Sequence, residues 1–151
     1  MKRVKVPYTF ESEKFISEDV LLFTQGKDLI PNVMSLTFKT IGNILGDPCI
    51  NIYVSKRRFS IQLLEETEEF TLCRGGDVYL YLNNAGKYSG RDMNKIQKFE
   101  MPLEKSQHII VPNLKTCKVS YECRIVEYAE LSTIEGYKMY IGHICGVYLH
   151  V

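Results

Sequence analysis

The sequence predicts a mostly-β domain, a closed or nearly closed β-barrel with short helices. Three observations predict it. Short apolar or alternating runs recur along the chain between Gly, Pro and Asn signals. Only two stretches carry helical character. No repeat, low-complexity tract or linker divides the chain. Many short strands with few helices suit a barrel, because closure removes free sheet edges.

The elements follow in order. Residues 19–24 (DVLLFT), 32–38 (NVMSLTF) and 49–54 (CINIYV) read as strands. A helix is expected over 60–70 (SIQLLEETEEF), where strong helix formers follow Ser60, a residue able to cap its start. Ile61 and Leu64 share one face of it. Residues 77–82 (DVYLYL) and 108–111 (HIIV) read as strands. Between them, Met93, Ile96 and Phe99 recur every third residue and suggest a second short helix from about Gly90 to Phe99. In 117–128, Cys117, Val119, Tyr121, Cys123 and Ile125 face one way, and Lys118, Ser120, Glu122 and Arg124 the other. The last run, 136–151, is long enough to bend round a barrel corner at Gly142 or Gly146.

A chain of 151 residues is expected to form one domain over 1–151 and to bury a core without disulfide staples. Its net charge of +1 gives no global field toward nucleic acid or an acidic membrane. No apolar run approaches the ~20 residues of a membrane span. The basic start, MKRVKVPYTFESEK, lacks the apolar stretch of a secretory signal. Five cysteines without a short-spaced pair point to reduced, mostly buried thiols and a cytoplasmic setting.

The chain has no G-x-G-x-x-G, no P-loop and no G-x-S-x-G elbow. His108, His143 and His150 are scattered over predicted strands, so no metal site is expected. What remains is a set of anion-binding features. VSKRRFS (54–60) links a strand to a helix start, where Arg58, Ser60 and unsatisfied amides suit an anion. The competing reading is a solvated turn of Lys56, Arg57 and Arg58. NAGKYSGRDMNK (84–95) combines Gly86 and Gly90, which permit close backbone approach, with the donors Ser89, Arg91 and Lys95. It is too polar to bury a core face, and a charged surface loop is the alternative. In PNVMSLTF (31–38), Asn32, Ser35 and Thr37 mix small polar groups with the flexible Met34, which suits a flat polar ring but also an edge strand.

Taken in order, these motifs resemble the flavin reductase-like family of FMN-binding split barrels, which includes flavoredoxin. The chain gives P-N-V-M-S at 31–35, L-G-D-P at 45–48, S-K-R-R-F-S at 55–60, E-F-T at 69–71, S-G-R-D-M-N-K at 89–95 and I-G-H-I at 141–144. It departs from the family pattern at Ser55 and Lys56, where Arg-Pro is usual, and at Asn94, where Asp is usual. It also lacks tryptophan. The resemblance implies a split barrel, a homodimer, and FMN bound near the subunit interface. It implies Arg58 and Ser60 on the phosphate, and Asn32, Met34 and Ser35 on the ring or ribityl chain. It further implies that Ser89, Gly90, Arg91 and Lys95 help hold the phosphate and ribityl side or lie beside the flavin across the dimer. The flavin carries the chemistry, so no catalytic side chain is named, and the electron donor is NADH or NADPH with an acceptor the sequence does not identify. Two other readings are a flavin or small-ligand binding module or sensor, and an OB-like single-stranded nucleic-acid binder with stacking tyrosines.

Overall fold

A computed structural model describes residues 2–151. In chain order the elements are β1 (Arg3–Lys5), α1 (Ser12–Ser17), β2 (Val20–Gln25), β3 (Pro31–Leu36), β4 (Lys39–Ile44), β5 (Asp47–Ser55) and α2 (Ser60–Thr67). They continue with β6 (Glu69–Arg74), α3 (Val78–Lys87), α4 (Lys95–Lys98), β7 (Leu103–Glu104), β8 (Asn113–Leu114), β9 (Val119–Glu130) and β10 (Tyr137–His150).

The main sheet runs β3-β2-β6-β9-β10-β5-β4, with β1 pairing the far end of β10 and every pairing antiparallel. Its two outer strands, β3 and β4, are consecutive in the chain and joined only by Thr37 and Phe38. The sheet must therefore curl until its edges approach, which makes the mostly-β barrel the sequence predicts. β10 carries register shifts against β9 at Ile141/Gly142 and at Ile144/Gly146. These are the two glycines where a bend is expected. A β-carbon on Gly142 would sit 2.5 Å from the Phe70 ring, so the bulge lets the aromatic fill the barrel.

The barrel interior packs Phe15, Leu22, Ile50, Ile52, Phe70, Leu72, Tyr121 and Tyr140. A second cluster packs Leu21, Phe23, Val33, Cys73, Val78 and Leu114 beneath α3 and the segment that follows it. β2 lies between the two, so all six of its residues are buried. This explains why its sequence is a continuous apolar run rather than an alternation. Each large side chain so buried contributes about 2 kcal/mol.

The structure corrects several expectations. Residues 77–82 begin helix α3 instead of a strand. Val78, Tyr81, Leu82 and Ala85 fall on its packed face at helical spacing, and that packing overrides the strand propensity of the Tyr and Val residues. The helix at 60 stops at Thr67, where Glu68 takes a left-handed backbone (φ 60°), and Glu69–Arg74 become the sheet strand β6. Ser60 does not cap that helix. The second short helix spans only Lys95–Lys98. Residues 108–111 are irregular, because side chains from the sheet take their backbone groups. Glu122 accepts from the amides of Gln107 (2.8 Å) and His108 (2.7 Å), Glu69 accepts from Ile110 (2.9 Å), and Arg124 donates to the His108 carbonyl (2.6 Å). The same segment covers the second face of β9, so Ser120 and Glu122 are buried although the alternation turns them away from the barrel interior. The 84–95 stretch is also less peripheral than its polarity suggests, since Ala85 and Lys95 are both buried. All five cysteines are free thiols and four are buried. Among the described residues, no helix is long and apolar enough to cross a membrane.

Candidate functional site

Three segments distant in sequence meet at one end of the barrel. β3 supplies Asn32 and Met34, the turn from β5 into α2 supplies Ser55, Arg57, Arg58, Phe59 and Ser60, and the end of α3 with the loop after it supplies Lys87–Arg91, with Lys95 behind it. Together with Tyr137 at the start of β10 they line a cleft of about 440 Å3.

Asn32 joins all three segments. Its Nδ2 donates to Ser60 Oγ (3.1 Å) and Thr24 Oγ1 (3.3 Å). Its Oδ1 occupies the place where a β-carbon on residue 90 would be, and the Phe59 ring lies 2.7 Å from the same point. Gly90 is needed here because only a residue without a side chain lets the loop close over Asn32 and Phe59. Arg91 completes the closure. Its Nη1 donates to the Arg57 carbonyl (2.9 Å), and its guanidinium lies over the Phe59 ring at 5.7 Å. Ser89 Oγ accepts from the Arg91 amide (3.1 Å) and tightens the turn.

The cleft is strongly cationic. Arg57, Arg58, Lys87, Arg91 and Lys95 line it, and no Asp or Glu does. Against a net charge of +1 for the whole chain, this is a local concentration of positive charge. Arg58 is held only by a long contact from Nη1 to the Gly86 carbonyl (3.5 Å), so its donors remain available. Lys95 is different. It is 4% exposed, and its Nζ donates to the carbonyls of Ala85 (2.8 Å) and Tyr88 (2.9 Å) at the end of α3. Burial first, and then the nearby Arg58 charge, lower its pKa to about 8. The helix-start amides contribute less than the sequence suggests. Those of Arg58, Ile61 and Gln62 already donate to Ser55, Arg58 and Phe59 carbonyls. Donors free to meet an anion here would therefore be mainly side chains.

Eight of the nine residues singled out from sequence line this cleft: Asn32, Met34, Arg58, Ser60, Ser89, Gly90, Arg91 and Lys95. The ninth, Ser35, lies in a smaller cleft of about 90 Å3 that shares Met34, Ser55, Arg58 and Tyr137 with the first. Its hydroxyl is engaged by the Leu82 carbonyl of α3. The small cleft in turn shares Thr37, Phe38, Tyr53 and Tyr137 with a mostly apolar pocket of about 570 Å3, whose wall is completed by Lys39, Thr40, Leu131 and Ile134. The three spaces form one groove, cationic at one end and apolar at the other, with Tyr137 common to all. Sequence reasoning missed Tyr137, Tyr53, Tyr88 and the lining role of Arg57. Tyr137 gains its place by pairing with Ser55 across β10 and β5, a register that no local motif announces.

No protein-family model matches the chain. An uncharacterized protein of Archaeoglobus fulgidus is 28% identical over 126 residues, 80% of this chain; that match spans 64% of the archaeal protein's length. Among solved structures, the FMN-binding domain of a flavin reductases-like enzyme from Shewanella baltica superposes with TM-score 0.82 at 16% identity, over 99% of this chain and 78% of that one. Flavoredoxin of Desulfovibrio vulgaris gives 0.77 at 21% identity over 88% and 69%, and flavoredoxin from Methanosarcina acetivorans 0.75 at 21% over 87% and 67%. The fold is thus the split barrel of the flavin reductase-like and flavoredoxin structures, as the motif order implies.

Proposed function

We propose that the chain is an FMN-binding flavoprotein of the flavin reductase or flavoredoxin kind. The observation that carries this reading is the continuous groove, with five cations and no carboxylate at one end and an apolar aromatic-lined space at the other. An amphipathic ligand with a terminal phosphate and a large planar ring matches that polarity. Arg58 supplies the fork geometry suited to a phosphate, while Lys87 and Lys95 add point charge. Gly90 lets the loop close over Asn32 and Phe59 at that end, and Gly86, where a β-carbon would approach Ser35 Oγ to 3.3 Å, lets α3 pack closely on β3. Met34, Tyr137, Phe38 and Tyr53 provide flat apolar contact for a ring. Asn32 does not reach outward for the ligand. It fixes Ser60 and the Gly90 loop, so it shapes the cleft that the ligand enters.

Bound FMN would accept a hydride from NADH or NADPH and pass electrons to an acceptor, chemistry that resides in the cofactor. The chain's part is to bind, orient and shield. Phe38 and Ile134 are each 56% exposed at the apolar end, and a second copy of the chain covering them would complete a homodimeric site. A nucleic-acid reading is less suited, because the cations are gathered in a cleft and not spread along a binding face.

The test is spectroscopic. Purified protein mixed with FMN and then desalted is expected to retain visible flavin absorbance and quench flavin fluorescence. Loss of all flavin on desalting, together with unchanged fluorescence during titration, would sink the reading. Sedimentation with and without FMN checks the dimer, and a monomer at micromolar concentration with FMN present would remove it.

A further inference from the structure

Lys95 is the most deeply buried cation of the cleft, and nothing negative neutralises it. Two of its three donors end on main-chain carbonyls at the C-terminal end of α3. A lysine capping a helix C-terminus is ordinary structural chemistry. Its surroundings are not. Arg58 is the charge that acts on it, and the other titratable groups lining the same cleft are Arg57 from the α2 turn, Lys87 and Tyr88 from the end of α3, and Arg91 from the loop. No carboxylate makes an ion pair with it. An ammonium ion shielded from water is costly, the two carbonyls offset only part of that cost, and a phosphate entering the cleft would supply the full counter-charge.

We propose that Lys95 couples the binding of a phosphate monoester in this cleft to the uptake of up to one proton. The inference rests on the flavin reading above. In the free protein a substantial fraction of Lys95 is the neutral amine near pH 8. A dianionic phosphate entering the cleft favours the ammonium form. The amine therefore takes one proton from solvent, and no covalent bond is otherwise made or broken. The sign follows from linkage: bound phosphate raises the lysine's pKa, so binding weakens as pH rises through the free-state value.

The experiment compares FMN with riboflavin, which shares the ring and its ionisations but lacks the phosphate. Affinities for both are measured by fluorescence titration from pH 7 to 9.5. In wild-type protein the FMN-to-riboflavin affinity ratio is expected to fall by about tenfold or more across this range, the loss setting in near pH 8. Lys95→Met is expected to lower the ratio at pH 7 and make it flat with pH. Should that variant prove unstable to heat, Arg58→Met gives an independent check. Removing the neighbouring charge should move the onset to higher pH. Calorimetry of FMN binding at pH 8.5, in two buffers of different ionisation heat, should register net proton uptake. FMN binding with a pH-flat ratio in wild-type protein would overturn this inference and leave the flavin reading intact. A slope that persists unchanged in Lys95→Met would also overturn it. No FMN binding at any pH would overturn both.

Discussion

Arg74 and Lys95 are both buried cations, and the fold treats them in opposite ways. Arg74, 1% exposed, sits in a fully compensated network. Its Nη2 meets Glu11 Oε1 at 3.0 Å and its Nε meets the Tyr121 hydroxyl at 3.3 Å. Lys118 holds the other Glu11 oxygen at 3.0 Å. Lys95, 4% exposed, has carbonyls for partners and Arg58 for a neighbour. One cation is neutralised from within the chain and ties α1's start to β6 and β9. The other has no carboxylate partner among the described residues, and on the reading proposed above a ligand would supply the counter-charge. The same physical cost, a charge taken out of water, is settled at one end of the molecule and left outstanding at the other.

The contrast can be broken by mutation. The largest effect is expected at Glu11. Glu11→Ala strands the buried Arg74 and should cost about 2–3 kcal/mol, at the low end for a buried pair because Glu11 is partly solvated. Thermal or urea unfolding measures this, and FMN affinity should be unchanged. Equal stability of variant and wild type would mean the network is ornamental.

Arg58→Ala should do the reverse. Loss of a charge-assisted phosphate contact of roughly 1.5–3 kcal/mol would weaken FMN about tenfold to a hundredfold, while riboflavin binding and the unfolding midpoint hardly move. Equal losses for both flavins would assign Arg58 to the ring pocket or to the fold.

The acid response sharpens the same comparison. The Lys118 ammonium, then Lys14, and then Arg74 hold the Glu11 carboxyl down at about 2. A depressed carboxyl contributes stability above its unfolded value and loses it as pH falls. The contribution should therefore be complete above about pH 4.5 and vanish as pH approaches 2. Wild-type stability should fall across that window more steeply than that of Glu11→Ala. Parallel curves would remove Glu11 from the account. The smallest effect belongs to Arg57→Ala. Arg57 lines the cleft, but it is exposed and lends Arg91 only its carbonyl, so FMN should weaken by less than about threefold. A loss as large as that of Arg58→Ala would place Arg57 on the phosphate instead.

Much of the site was legible because its chemistry is written in short segments. SKRRFS and SGRDMNK each announce donors and tight turns, and their meeting at Gly90 and Asn32 follows once β3 is identified. The fold was legible where one environment governs a run, as in β2 and β5. It failed where a distant partner decides. Residues 77–82 carry strand formers, yet the helical spacing of Val78, Tyr81, Leu82 and Ala85 shows only when the window extends past Leu82. Residues 69 and 70 look like the tail of an acidic helix, and only the left-handed turn at Glu68 and two strands awaiting a neighbour make them the start of β6. Residues 108–111 are apolar enough for a strand, but the carboxylates of Glu122 and Glu69 and the Arg124 guanidinium claim their backbone groups. The strand-like burial of Ser120 and Glu122 has the same origin. Tyr137 had no local signal, since its position is set by register with Ser55 across half the sheet.

The place of β6 has a kinetic consequence. Three hairpins, β2–β3, β4–β5 and β9–β10, are local in sequence and can zip early. β6 lies between β2 and β9 and belongs to none of them. Until it docks on both sides, the β2–β3 hairpin has no strand contact with the rest of the sheet. Such non-local pairing must meet its loop-closure cost before its contacts reward it, and chains dominated by it cross their folding barrier slowly. Because β6 follows α2 directly, the turn bearing Arg58 is settled in that same late event. Weakening β6, for instance by trimming Leu72, should therefore retard refolding as well as hasten unfolding, and the cleft would be the last part of the molecule to recover.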